Sequence, residues 1–201
     1  FLNWHIENEY VNVVPFYKED AFEEFVTGLA DETAKADVFI LSYHGGVEYS
    51  RVPAPWKRDL FLRCIDAGVD IVWGHHPHVV QPWETVMTPG GEKLILHSTG
   101  NLISGQTWRA GPGTEDAGIY GTGEAALFVI DLVIEAEESR VRRVNALPIC
   151  NYRDPDAGMI IKRFDALSTV EMGEQWAIYY DNRLRELETF LVDTSSWNFE
   201  R

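Results

Sequence analysis

Three of the six histidines fall within four positions, in Gly74-His75-His76-Pro77-His78, directly after the apolar run Val69-Asp70-Ile71-Val72-Trp73. A fourth, His44, follows a second apolar run, Val38-Phe39-Ile40-Leu41, in the segment Tyr43-His44-Gly45-Gly46. Imidazole suits borderline divalent metals at neutral pH. Two strand-like runs that each end in imidazole point to one metal site at the C-terminal edge of a sheet. Within the cluster, His76 and His78 form a His-x-His pair whose spacing is stiffened by Pro77, because proline fixes one backbone torsion. His75 then points elsewhere, as an orienting or substrate-side group, and His44 adds an imidazole from the neighbouring strand.

Histidines alone make an incomplete hydrolytic site. Two cations held about 3.5–4 Å apart normally need carboxylates between them. The nearest acids are Glu48, four residues after His44, and Glu84, six after His78; neither has evident ligand spacing. Asn101, after Gly100, is a candidate for substrate binding or for a turn. His5 and His97 read as hydrogen-bonded loop residues, Arg109 as a solvated loop cation, and Trp176 to Tyr180 as helix packing. No Gly-x-x-x-x-Gly-Lys-Ser/Thr loop and no Gly-x-Ser-x-Gly elbow occurs, so neither triphosphate cradling nor a serine nucleophile of those types is supported.

The elements that must carry these residues follow from periodicity. Val11 to Phe16 reads as a short strand. Asp20 is a candidate cap for a helix over Ala21 to Ala34, with Phe22, Phe25, Val26 and Leu29 at helical spacing. Strand Val38 to Tyr43, helix Trp56 to Ala67 with Gly68 as its stop, and strand Val69 to Trp73 form a unit of about 30 residues, which makes the two strands parallel. Parallel strands bring both histidine-bearing ends to one side of the sheet, where α/β proteins build sites. Val79 to Glu84 reads as a turn or short extended piece, Pro89-Gly90-Gly91 as a hairpin turn, and Lys93 to His97 as a strand. The glycine-rich stretch Gly105 to Gly123 reads as a long loop. Glu124 to Ile134 and Arg140 to Leu147 read as an antiparallel pair, Asn151 to Gly158 as irregular, and Ser168 as the cap of an amphipathic helix running to about Val192.

A chain of 201 residues with 45% apolar residues and seven tryptophans is long enough and apolar enough for a buried core. Its net charge of -15 argues against nucleic acid or an anionic membrane surface as the main partner. No apolar run of about 18 residues is present, so no membrane span is expected and the chain is expected to be soluble. Cys64 and Cys150 read as two buried thiols rather than a disulfide.

The stretch from Ala36 to Gln106 resembles the CapA family, the bacterial poly-gamma-glutamate capsule synthesis proteins with a calcineurin-like metallophosphoesterase fold. Three pieces carry the resemblance: Ala36 to Tyr49 with Ser42-Tyr43-His44-Gly45-Gly46, Asp66 to Glu84 with Gly74-His75-His76-Pro77-His78, and Leu96 to Ile103 with Ser98-Thr99-Gly100-Asn101. It implies an α/β fold, the C-terminal part of a four-layer α/β/β/α metallophosphoesterase-like sandwich. It implies metal ligation by His44 and by His76 with His78, or else by His75 with His78, since the extra histidine leaves two registers. Glu48 matches an acidic position typical of the family, which makes His75 and Glu48 the catalytic candidates, and Asn101 matches its Gly-Asn position. The cofactor implied is a divalent metal (Mn, Zn or Fe), dinuclear in a complete domain.

The Gly-Asp, Asn-Leu-Glu and Asn-Asn-His segments of the family's N-terminal half are absent here. Residues 1–201 are therefore expected to be a single domain fragment that lacks the N-terminal ligands, ends in the 168–192 helix, and is inactive on its own. The function implied is that of a metal-dependent hydrolase or transferase domain in poly-gamma-glutamate or cell-envelope polymer metabolism. The alternative is a non-catalytic scaffold or binding module of a capsule-synthesis complex. The implied partners are a glutamyl polymer or a small phosphoester and capsule-synthesis proteins. The implied setting for the parent protein is the cell surface, in association with the membrane.

Overall fold

The computed structural model describes residues 13–15, 18–106, 110–114, 121–135 and 138–195. The strand expected at 11–16 and the residues His5 and Arg109 lie outside this set, apart from residues 13–15, which belong to no regular element.

Helix α1 (Glu19–Thr33) leads into strand β1 (Ile40–His44), helix α2 (Pro55–Asp66) and strand β2 (Ile71–His75). β1 and β2 pair in parallel, with His44 opposite His75. Strands β3 (Trp83–Thr88) and β4 (Gly91–Leu96) form a hairpin around Pro89-Gly90, and β4 lies parallel to β2. The resulting four-stranded sheet has the order β1-β2-β4-β3. A second, antiparallel sheet has the order β5-β6-β7, built from β5 (Glu124–Glu135), β6 (Glu138–Asp154) and β7 (Gly158–Arg163). A 3-10 helix (Phe164–Thr169) and helix α3 (Glu174–Glu188) follow.

Alternation along the strands divides the core. Val72 and Ile95 point to one face of the first sheet and meet Phe22 and Leu29 of α1 and Phe61, Cys64 and Ile65 of α2. Ile71, Leu94 and Leu96 point to the other face and meet Phe128, Ile130, Val141 and Val144 of the second sheet. Fully burying each such side chain contributes about 1.5–3 kcal/mol. The far half of β6 carries Cys150 and Tyr152 into a separate cluster with Tyr179, Tyr180 and Leu187 of α3. The fold is α/β, with two sheets face to face and α1 and α2 on the outer face of the first.

Several local rules fix the frame beneath the histidines. Pro55 opens α2 at a position where a missing N–H costs nothing. α2 ends in a Schellman arrangement: Gly68, at φ +101°, donates to the Ile65 carbonyl and Val69 donates to the Cys64 carbonyl. That stop turns the chain straight into β2. Asp70 then ties three segments together, accepting from the Phe39 N–H (2.7 Å) and the Lys93 Nζ (2.5 Å) and from the Ser139 hydroxyl.

Some expected boundaries move. Asp20 lies inside the first turn of α1, whose N-cap is Lys18 without a side-chain cap; Glu19 and Asp20 instead favour the positive end of the helix. The segment 151–158 is not irregular, because β6 continues to Asp154 and β7 starts at Gly158. Helix α3 starts at Glu174 and not at Ser168, because Phe164–Thr169 forms the separate 3-10 helix and Gly173, extended at ψ 150°, is the N-cap. Cys64 and Cys150 are buried and free, and burial pushes both thiols up to about 12.

Candidate metal centre

The parallel register places His44 and His75 side by side at the same sheet edge, and the Gly45 N–H donates to the His75 carbonyl to extend the ladder by one step (3.3 Å). Immediately beyond, the backbone departs from ordinary geometry. His76 has φ 92° and His78 has φ 62°, on either side of Pro77. Non-glycine residues rarely adopt positive φ, and such backbone clusters at functional sites. The loop after β1 locks onto this turn: Tyr49, itself at φ 61°, donates its N–H to the Pro77 carbonyl at 2.8 Å. Gly74 allows β2 to end here, since a Cβ at that position would lie 2.2 Å from the His97 carbonyl oxygen.

The side chains converge as a result. Ligand atoms of Glu48, His76 and His78 lie within 4.8 Å of one another. Glu48 Oε1 is 3.8 Å from His78 Nε2. His44 is not part of that trio but touches it through His76, with His44 Nε2 3.3 Å from His76 Nδ1. Two nitrogens on one tetrahedral cation with bonds of about 2.0–2.1 Å would stand about 3.3 Å apart, so this spacing suits shared ligation. His78 turns its Nδ1 to Asn101 Oδ1 at 3.0 Å, which leaves Nε2 facing the trio. A hydrogen bond to the rear nitrogen is how ligating histidines are oriented.

Asn101 spends its amide nitrogen on Gln106 Oε1 (3.2 Å) and the Thr122 carbonyl (3.1 Å). Asn101 thus stands against the rear nitrogen of His78, with its amide nitrogen engaged on the other side. His75 is half-buried against the Trp73 ring, with centroids 4.6 Å apart, and stands outside the trio. Glu84 is far from the role of ligand. It is buried, is gripped by the Arg58 guanidinium (2.7 to 3.1 Å), and bonds His97 Nε2 at 2.8 Å. Burial works to raise the Glu84 pKa, but the bonds from His97 and Arg58 outweigh it and hold it below the usual carboxylate range. His97, one residue past β4 and bonded to Glu84, is the hydrogen-bonded loop residue expected, and it is fully buried and stacks on Phe61.

The electrostatics keep the imidazoles available. Desolvation lowers the pKa of His44, His75 and His76, and neighbouring histidines and Lys57 push His44 and His76 the same way, while Glu48 pulls His76 back up. Neutral imidazole is the form that ligates. Lys57 was not legible as part of the site. It is 1% exposed, donates to the His97 carbonyl at 2.7 Å, and is driven by burial to about 8. Only its position on the inner face of α2 signalled that it is buried. Tyr49 was also missed; its ring stacks on His78 at 5.9 Å.

Two imidazoles and one carboxylate, with a third imidazole at 3.3 Å and an oriented rear shell, fit a borderline divalent cation such as Zn, Mn or Fe. Among the described residues, Glu48 supplies the trio's one carboxylate.

Comparison with known proteins bears directly on this segment. The family model described as "Bacterial capsule synthesis protein PGA_cap" matches residues 4–106, just over half of the 201 residues. The chain belongs to this family. Among curated relatives, the capsule biosynthesis protein CapA of Bacillus anthracis is 33% identical over 105 residues, covering 50% of this chain and 24% of that protein. The PGA biosynthesis protein CapA of Bacillus subtilis (strain 168) is 32% identical over 117 residues, covering 55% of this chain and 29% of that protein. The matched part of the chain thus spans about a quarter of the length of these relatives. The PGA_cap match contains His44, Glu48, the 75–78 cluster and Asn101, whereas β5 to β7 and α3 lie beyond it. Among the described residues, no helix is long and apolar enough to cross a membrane.

Proposed function

We propose that this chain contributes a divalent-cation site to a metal-dependent hydrolase or transferase that acts in poly-gamma-glutamate or cell-envelope polymer metabolism. The observation that carries the reading is the convergence of Glu48, His76 and His78 in the loops that follow two parallel strands. In this reading the chain is the C-terminal part of a four-layer α/β/β/α metallophosphoesterase-like sandwich, and the complete domain holds two cations. His76 and His78 are ligands, His44 completes the cation shell beside His76, and Glu48 serves as the carboxylate ligand. A bound Mn, Zn or Fe ion supplies Lewis-acid polarisation and acidification of water.

The remaining roles belong to the chain's own side chains. His75, half-buried beside Trp73 with its pKa lowered chiefly by burial, is the proposed acceptor of a proton from the reacting group. Asn101 fixes the ring plane of His78. Tyr49 walls the site next to His78. The substrate classes proposed are a glutamyl polymer or a small phosphoester, and the partners are other capsule-synthesis proteins at the cell envelope.

One observation favours a second reading, a binding module without chemistry: a single carboxylate in the trio is fewer than a two-metal centre uses. Titration with Mn(II) and Zn(II), followed by turnover assays on phosphoesters and glutamyl amides with the full-length parent, separates the two. Saturable binding lost in His76→Ala and His78→Ala, with turnover lost in parallel and folding retained, supports the enzyme. Function that survives both substitutions supports the module and sinks the catalytic reading.

A further inference from the structure

We propose that a buried charge network, Arg51–Glu124–Arg183–Glu186, positions Glu48 for the candidate cation site, so that helix α3 sets how tightly the loop after β1 can hold a cation. This rests on the reading of Glu48, His76 and His78 as ligands.

Glu48 lies on an exposed stretch, with its side chain 51% accessible, and a carboxylate there ligates well only if its backbone is fixed. Three consecutive residues that follow it are each tethered. Tyr49 donates its N–H to the Pro77 carbonyl, the Ser50 carbonyl accepts from Gln81 Nε2 at 2.7 Å, and Arg51 reaches into the interior. The Arg51 guanidinium meets Glu124 Oε2 at 3.0 Å, the Val80 carbonyl at 3.4 Å and Glu186 Oε1 at 3.6 Å, and lies over the Phe190 ring at 4.9 Å. Glu124 is 2% exposed, and its other oxygen is held by Arg183 Nε. Arg183, 1% exposed on α3, also donates to Glu186 Oε2 at 2.6 Å. Two cations and two anions balance, so each carries the others' burial. Gly121, at φ +91°, makes room: a Cβ there would lie 2.1 Å from Arg51 Nη2.

Glu124 joins both halves of the candidate site. Its side chain anchors Arg51, three residues after Glu48. Its backbone carbonyl accepts the N–H of Asn101 at 3.3 Å, and Asn101 in turn orients His78. The supports of two of the three ligands therefore meet at one buried residue, and α3 holds that residue from behind. Arg51, Glu124 and Arg183 are positioning residues; none touches the trio itself. α3 lies outside the segment that the family match covers.

A double-mutant cycle on Mn(II) affinity of the 201-residue protein tests the proposal. Arg51→Gln is expected to weaken binding about 10–100-fold, the usual effect of losing an outer-shell support. In a Glu48→Gln background the same substitution is expected to change affinity by less than about 2-fold, because the group it positions is gone. Arg51→Lys, which keeps the charge without the fork, restores part of the loss. Arg183→Lys follows the same pattern and serves if Arg51→Gln fails to fold. Losses from Arg51→Gln that are equal with and without Glu48 overturn the proposal and leave the cation site standing. Absence of saturable Mn(II) binding by the wild-type protein overturns the cation reading, and this inference with it.

Discussion

Gly74→Ala isolates the close approach on which the histidine turn depends. The new Cβ would lie 2.2 Å from the His97 carbonyl oxygen, 2.8 Å from that of Leu96 and 2.9 Å from the His97 carbonyl carbon. All three are backbone atoms, so no side chain can swing away. Real Cβ atoms essentially never approach closer than 3.0 Å, and the end of β2 must therefore move away from the Leu96–His97 backbone by about 1 Å. Overpacking of this kind typically costs about 1–3 kcal/mol, occasionally more. The rigid obstacle places this case at about 3 kcal/mol. For a chain of this size each kcal/mol lowers Tm by about 2–4 °C, so a drop of about 6–12 °C is expected. Because His75 to His78 follow directly, Mn(II) affinity should fall as well, and a distortion near 1 Å in ligand placement makes a loss of at least about 10-fold reasonable. Urea unfolding and calorimetric titration of the same preparations measure both quantities. A variant within about 0.5 kcal/mol of wild type that binds Mn(II) unchanged would refute the argument that this glycine fixes the site.

Two further outcomes concern the buried charges. Asp70→Ala leaves the Lys93 ammonium, 8% exposed, without its carboxylate, and should cost about 3–5 kcal/mol in chemical denaturation; a loss below about 1 kcal/mol would contradict the tie described between the two sheets. Burial lowers Lys57 from 10.5 to about 8, so between those values the unfolded chain binds the extra proton and this residue's contribution to stability rises with pH. Relative to Lys57→Met, wild type should gain roughly 2–3 kcal/mol from pH 8 to 10.5, even as both lose stability when Cys64 and Cys150, raised to about 12 by burial, ionise only in the unfolded chain. A wild-type-minus-variant difference that stays flat over this range would show that Lys57 is hydrated in solution.

The parallel β1–α2–β2 unit and the placement of its histidines were legible because apolar runs, the Gly68 stop and the terminal imidazoles all agree. Glu48 was legible only through the family resemblance and not from its own spacing, since a loop brings it to the trio through a left-handed Tyr49 and a contact with Pro77, neither of which leaves a periodic trace. The same holds for β7 and the end of β6. Asn151 to Asp154 is polar, so alternation fails, yet Asn151 is buried because its amide holds the Asn101 carbonyl and the Ser104 N–H. The turn itself is encoded, with Asp154 Oδ1 accepting from the N–H groups of Asp156 and Ala157 and Gly158 at φ +78°. Helix α3 starts later than Ser168 because residues 168 and 169 close the preceding 3-10 segment and Gly173, in extended conformation, is the N-cap.

The unusual torsions at positions 76 and 78 also bear on speed. A left-handed residue that is not glycine costs about 1–3 kcal/mol, and if the candidate site takes a cation, that expense is met in folding rather than in binding. The two rings consequently wait in place. Capture of a cation would then be limited by how quickly the ion sheds its own water, and exchange between ions of different lability should differ in rate far more than in the shape of the protein that receives them.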